Sequence, residues 1–144
     1  MARFVQTVTR RASFSAARRL ASPALDAAGN AARFGRDAAL HGHDFVLHVT
    51  VRGEVPEATG MVMDLKALGA ILQERFVSRV DHRHLNRDVP FLLGVIPTAE
   101  NMAVAVWREI EPELKAFEGC RLHRIRVYES RNNFVDYLGP TPAG

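Results

Sequence analysis

The stretch HDFVLHVTVRG, opening at His43, alternates without a break. His43, Phe45, Leu47, Val49 and Val51 share one parity, and His48, Thr50 and Arg52 take the other. Side chains of a strand point alternately to its two faces, so this segment is a strand with one dry face and one wet face. The opening segment repeats the pattern from Phe4 to Leu20. Phe4, Val8, Ala12, Phe14 and Ala16 lie on one parity, while Thr7, Thr9, Arg11, Ser13 and Ser15 lie on the other, with Arg10 as the exception. Two more strands close the chain. RLHRIRVYES places His123, Ile125, Val127 and Glu129 inward, and NNFVDYLG returns through the turn-tolerant pair Asn132-Asn133. Between the two strand pairs the period changes to that of a helix. Asp64 is a fitting N-cap for a helix over about Leu65 to Val80, with Leu65, Leu68, Leu72 and Phe76 as its apolar stripe. A second helix starts near Thr98, after Pro97, and carries Ala103, Val106, Trp107, Ile110 and Leu114, with Pro112 set to kink or end it. Residues 21–39, rich in Ala, Gly, Asp and Asn, read as a long loop with at most a helical turn. GEVPEATG reads as a turn and DHRHLNRDVPF as a loop. The order strand, strand, helix, helix, strand, strand predicts an α+β fold. Its four-stranded antiparallel sheet carries two helices on one face.

At 144 residues the chain suits a single domain over residues 1–144 with one core. No apolar run approaches the roughly 18 residues of a membrane span. Cys120 is the only cysteine, which excludes an internal disulfide and fits a reducing, cytoplasmic setting. Charge is uneven. Arg3, Arg10, Arg11, Arg18 and Arg19 fall in the first 25 residues with no acid, leaving 14 basic against 16 acidic residues in the rest. An arginine- and serine-rich start resembles a mitochondrial presequence, but the alternation argues for a strand instead. Its arginines then lie on a solvated face or line an anionic site. Nucleic-acid binding is disfavoured, because no basic stripe with interleaved aromatics follows.

Several residues carry chemical potential. His41 and His43 place two imidazoles on one strand face, on the apolar parity, a spacing that suits zinc but amounts to half a site. The plain alternative is two polar residues at a strand entrance. Asp81 precedes His82 in a loop, and a carboxylate that orients an imidazole makes a general base; His84 reads as a surface residue. Glu129 ends an apolar parity. It is either an inward carboxylate that needs donors, such as the paired N–H groups of a pterin or guanine, or the wet end of a fraying strand. Glu100 in a first helical turn suits the helix dipole, and Cys120 reads as a packing residue.

Taken together, FSAARRL, HGHDF, GEVPEATGMVMDL, VDHRHLN, PTAEN and VYESRNNFVDYLG, in this order, resemble the 6-pyruvoyl-tetrahydropterin synthase and 6-carboxy-tetrahydropterin synthase family over nearly the whole chain. The resemblance implies the tunnelling fold (T-fold), in which subunits join sheets into a barrel and trimers stack into a homohexamer. It also implies a lyase of tetrahydropterin biosynthesis that acts on 7,8-dihydroneopterin triphosphate, with zinc held by three histidines, a cysteine base and an Asp-His pair. By resemblance, His41 and His43 match two zinc ligands, Asp81 and His82 the catalytic pair, Glu129 the pterin anchor, and Thr98 and Glu100 the segment that helps hold the ring.

Two positions depart from the pattern. Arg18 stands where the resemblance expects the first zinc histidine, and Asp37 stands where it expects the catalytic cysteine. A guanidinium has no lone pair for a metal. Strand parity turns Arg18 inward, so the expectation is a bidentate Arg18–Asp37 pair with the guanidinium near the zinc position, where it orients pterin hydroxyls. Three readings follow. One is a family enzyme with an altered, metal-poor mechanism, which eliminates triphosphate or cleaves the side chain toward a hydroxymethyl-pterin. The second is a noncatalytic pterin-binding homologue with a degenerate zinc site. The third is a structural subunit of an active paralogue.

Overall fold

The computed structural model describes residues 4–141. Arg3, one of the N-terminal arginines, lies outside them. Four strands form one antiparallel sheet in sequence order: β1 (Val5–Arg18), β2 (His41–Glu54), β3 (Cys120–Tyr128) and β4 (Phe134–Tyr137). The dry face of β2 is as the alternation requires. Phe45, Leu47, Val49 and Val51 are all fully buried, joined by Phe14 of β1 and by Ile125 and Val127 of β3.

Helices cover that face. Helix α2 (Leu65–Leu72) is capped by Asp64, whose side chain accepts from the Lys66 N–H. It passes through a wider, π-type turn over Gln73–Val77 into the short α3 (Ser78–Val80). Leu68, Leu72 and Phe76 are buried, but Leu65, at the exposed first position, is not part of the buried stripe. Helix α4 (Ala99–Leu114) is capped by Thr98, which accepts from the Asn101 N–H, and it buries Met102, Ala103, Val106 and Ile110. Pro112 sits inside α4, which ends two residues later. The rings of Phe14 and Phe45 stack at 4.9 Å, with Phe76 edge-on to Phe14 at 5.8 Å. Burying each such side chain contributes about 1.5–3 kcal/mol. Among the described residues no helix is long and apolar enough to cross a membrane.

Two expectations need correction. The 21–39 segment is not mainly loop: α1 (Ala27–Phe34) starts at an Asp26 cap that accepts from the Gly29 N–H, and a 3-10 turn (Gly35–Ala38) follows. On β3, His123 is not simply inward. The register slips there, with Thr50 opposite Arg124 but Val51 opposite Leu122. A bulge inserts one unpaired residue and resets the alternation, so Leu122 and Ile125 both reach the core.

Candidate active site: an arginine between two imidazoles and a carboxylate

Antiparallel register brings three strand ends together. Arg18, the last residue of β1, lies opposite His41, the first of β2, and Ala16 lies opposite His43. β3 ends at Tyr128, opposite Val46, so Glu129 follows directly at the same end of the sheet. The Glu129 N–H donates to the Asn133 carbonyl at 3.1 Å, which fixes the turn into β4.

Arg18 is the centre of this cluster and is 1% exposed. Its Nη2 donates to Glu129 Oε2 at 2.7 Å and lies 3.4 Å from His43 Nε2. Its Nη1 donates to the Pro97 carbonyl at 3.1 Å, and its Nε approaches His41 Nε2 at 3.4 Å. The guanidinium carbon also stands 5.3 Å from the Phe45 ring centroid. Four of the five guanidinium N–H groups are thereby engaged, two of them through long contacts. His41 Nδ1 lies 2.8 Å from the Ala39 carbonyl. A carbonyl only accepts, so that nitrogen carries the proton and Nε2 offers its lone pair to Arg18. Burial, then the Arg18 charge, then His41 hold His43 below its ordinary 6.5, against an opposing pull from the Glu129 backbone and carboxylate. A neutral His43 beside a permanent cation is the consistent protonation state.

The expected Arg18–Asp37 pair does not form, because the carboxylate partner of Arg18 is Glu129. Asp37 sits in the 3-10 turn with its side chain more than half exposed, and its Oδ1 lies 3.8 Å from His41 Nε2. Its backbone carbonyl takes the Leu20 N–H at 2.8 Å, which ties the turn to the end of β1.

Residues 81–85 run along the outer edge of β1. Ser15 N–H donates to Asp81 Oδ1 at 2.9 Å, His82 N–H to the Ser15 carbonyl at 2.6 Å, and Ala17 N–H to the Arg83 carbonyl at 3.0 Å. This covers the C-terminal half of an otherwise open strand edge. The Asp81 and His82 side chains are 3.8 Å apart, beyond hydrogen-bond range, and the His82 side chain is 82% exposed. His82 also holds φ at +59°, a conformation uncommon for a residue with a side chain. An open groove of about 670 Å³ runs between this segment and Gly42–Asp44, with His43 and His82 in its walls; Arg18 and Glu129 do not line it. Thr98 spends its hydroxyl on the helix cap, and Glu100 is exposed in the first turn of α4. The PTAEN segment touches the cluster through the Pro97 carbonyl, a contact that no side-chain pattern announces.

The zinc that the resemblance implies does not fit this donor set. Both imidazole Nε2 atoms face a guanidinium, and among the described residues no group of three His, Cys, Asp or Glu is placed to hold a metal.

A one-sheet T-fold subunit with a polar cluster where three strand ends meet is the class of protein that fold and site define. The profile of the 6-pyruvoyl tetrahydropterin synthase family matches residues 7–140, and the chain belongs to that family. It is 40% identical over 134 residues to the 6-pyruvoyl tetrahydrobiopterin synthase of Homo sapiens, covering 92% of this chain and 90% of that one. It is 39% identical over 132 residues to the enzyme of the same name from Dictyostelium discoideum, covering 92% and 95%. The solved 6-pyruvoyl tetrahydropterin synthase of Caenorhabditis elegans superposes with a TM-score of 0.87 at 34% identity, covering 97% of this chain and all of that one.

Proposed function

We propose that this chain binds a pterin and acts as a lyase on 7,8-dihydroneopterin triphosphate or a close relative, with the Arg18 guanidinium in place of a metal. The observation that carries this reading is the position of Arg18 between His41, His43 and Glu129. Glu129 keeps one carboxylate oxygen outside its ion pair, and its side chain is one-third exposed. A pterin presents adjacent N–H groups, which that oxygen accepts. Arg18 is 1% exposed, so its charge reaches the ligand through Glu129 and the two imidazoles.

In the elimination variant, Asp37 takes the proton from the side-chain carbon. The C–H electron pair forms the new double bond, and triphosphate leaves with the C–O pair. In the cleavage variant, the base takes a side-chain hydroxyl proton, and the O–H pair becomes a C=O as the adjacent C–C bond breaks. The triphosphate-bearing fragment leaves as an aldehyde, and the C–C pair left on the pterin side takes up a proton to give a hydroxymethyl-pterin. Asp81 and His82 relay the proton. The chain works as a homo-oligomer of T-fold subunits, with Thr98 and Glu100 beside the ring.

Incubation with dihydroneopterin triphosphate, followed by chromatography and metal analysis, tests the proposal. The expected result is a new pterin product from protein carrying far less than one zinc per chain. Glu129→Gln keeps an acceptor for Arg18 while losing the charge, so it should fold and lose pterin affinity. One tightly held zinc per chain would overturn the guanidinium's role, and unaltered affinity in Glu129→Gln would overturn the anchor. The exposure of Asp37 and the separation of Asp81 from His82 favour a second reading, a noncatalytic pterin-binding homologue. Tight binding without product selects it. Binding only after an active paralogue is added selects a structural-subunit role.

A further inference from the structure

The helix-free face of the sheet gathers arginines around one histidine. Arg11 lies opposite His48, His48 opposite Arg126, and Arg126 opposite Asp136, so one line across all four strands reads Arg, His, Arg, Asp. The next row pairs Thr9 with Thr50 and Thr50 with Arg124. Strands stand about 4.8 Å apart, and like charges directly opposite each other are destabilising. In this row no two arginines are directly opposite, because His48 stands between Arg11 and Arg126, but three guanidiniums (Arg11, Arg124 and Arg126) converge on that one imidazole.

The counter-charge is already committed. Asp136 accepts from Arg126 Nε and Nη2 at 2.7 and 2.9 Å and lies 3.9 Å from Arg124 Nε. Among the described residues, Arg124 Nε is buried with no hydrogen-bond partner, and its Nη2 meets only the Thr50 hydroxyl, at a long 3.4 Å. Thr50 is itself 2% exposed, with its hydroxyl 2.8 Å from that of Thr9. Beside His48 the face opens into a groove of about 460 Å³ that brings in Arg11, Arg131 and Tyr128. Asp44 lines the same groove, but its carboxylate accepts the Ser15 hydroxyl at 2.6 Å. Buried donors require acceptors, and a cluster of cations in a cleft concentrates anions.

We propose that this face is an oxyanion site that takes phosphate or a short polyphosphate. Arg11, His48 and Arg124 hold the anion, and the Arg126–Asp136 pair forms a fixed floor. The site is on the opposite face of the sheet from Arg18 and Glu129, and it does not depend on the pterin reading. Free phosphate and the triphosphate arm of a larger molecule present the same chemistry to it.

His48 reports occupancy. The groups around it are Asp44 on its own strand, Arg11 on β1, Arg124, Arg126 and Tyr128 on β3, and Asp136 on β4. Burial, then Arg126, Arg11 and Arg124, hold it below its ordinary 6.5. A bound oxyanion counters those charges and raises it. The test is NMR titration of the His48 ring in the full chain, without and with inorganic phosphate, inorganic triphosphate and a nucleoside triphosphate, alongside calorimetry. The expected result is an upward shift of the His48 midpoint with at least one of these probes. The Arg11→Gln, Arg124→Gln double variant should weaken binding by about tenfold or more, as loss of charge-assisted bonds requires. Arg11→Gln alters an exposed strand position, so it gives a weaker but measurable loss if the double variant fails to fold. Preference for inorganic triphosphate or for the ester identifies the source. A His48 midpoint unmoved by every probe at millimolar concentration, or binding unchanged in Arg11→Gln, overturns the proposal.

Discussion

Arg18 and Glu129 share one ion pair but differ in access to water, and that asymmetry predicts unequal costs for removing either partner. The Arg18 side chain is 2% exposed and that of Glu129 is 33% exposed. Removing one partner of a buried pair costs about 3–5 kcal/mol, because it strands the other charge. In Arg18→Met the stranded group is Glu129, which already reaches solvent and rehydrates, so solvent screening lowers the cost to about 2–3 kcal/mol. In Glu129→Ala the stranded group is a guanidinium with no access to water, left with the Pro97 carbonyl and two long imidazole contacts. Its cost stays near the top of the range, about 4–5 kcal/mol. With a urea slope of about 1.5 kcal/mol/M, the unfolding midpoint falls by about 1.3–2 M in the first variant and about 3 M in the second. The double variant strands nothing, so its cost is well below the sum, with a coupling of about 2–3 kcal/mol. Circular dichroism during urea titration of the four proteins measures all three quantities. Additive costs, or a larger loss in Arg18→Met than in Glu129→Ala, would refute the reasoning. An independent check is His43, whose NMR titration midpoint should rise in Arg18→Met as one of the charges that depress it disappears.

Stability should also depend on pH through two histidines. His43 and His48 both titrate below 6.5 in the fold, so the unfolded chain binds more protons as pH falls through 6.5. Stability therefore rises with pH up to about 6.5 and levels off above it, and the loss is complete once pH lies below the folded midpoints. Urea midpoints between pH 5 and 8 measure this; a flat profile would contradict it, and His43→Asn or His48→Asn should flatten it in part. Below 3.8 the depressed Asp136 carboxyl adds a loss in the same direction, because protonation removes its pairing with Arg126. On packing, Gly53→Ala drives a methyl into the Gly119 carbonyl and within 3.1 Å of the Cys120 Cα, both backbone. A loss of about 1–3 kcal/mol is expected in thermal or urea unfolding, and an unchanged midpoint would show that the β2–β3 contact yields more easily than its geometry implies.

Much of the fold was readable because period-two and helical spacing are set by backbone geometry alone. β2 and the Asp64 and Thr98 caps follow from residue types within a few positions of one another. Helix α1 was also readable in principle: Asp26 is a good cap and the alanines after it are strong helix formers, although Gly29 and Asn30 dilute the signal. His123 was not readable, because a bulge depends on the partner strand and an alternation count cannot see it. The partner of Arg18 lies between these cases. Parity turned both Arg18 and Glu129 inward, so their meeting was implicit in the pattern. Choosing among carboxylates required the register of three strands, and two of those ends are more than 100 residues apart in sequence. The row Arg11, His48, Arg126 was invisible for the same reason.

The wide turn in the second helical segment has a geometric consequence. Ser78 N–H reaches back five residues to the Gln73 carbonyl, so one residue more than an ordinary winding is accommodated there, and neighbouring Phe76 and Val77 both face inward. An ordinary helix turns about 100° and climbs about 1.5 Å per residue. If Gln73–Val77 wound regularly instead, every residue downstream would swing by that angle. Val80 would leave the interior, and the Asp81 carboxylate would lose the Ser15 amide that it receives. The aim of the loop beside the first strand is thus set by helix length counted to the residue, about one to two turns upstream of where the loop acts.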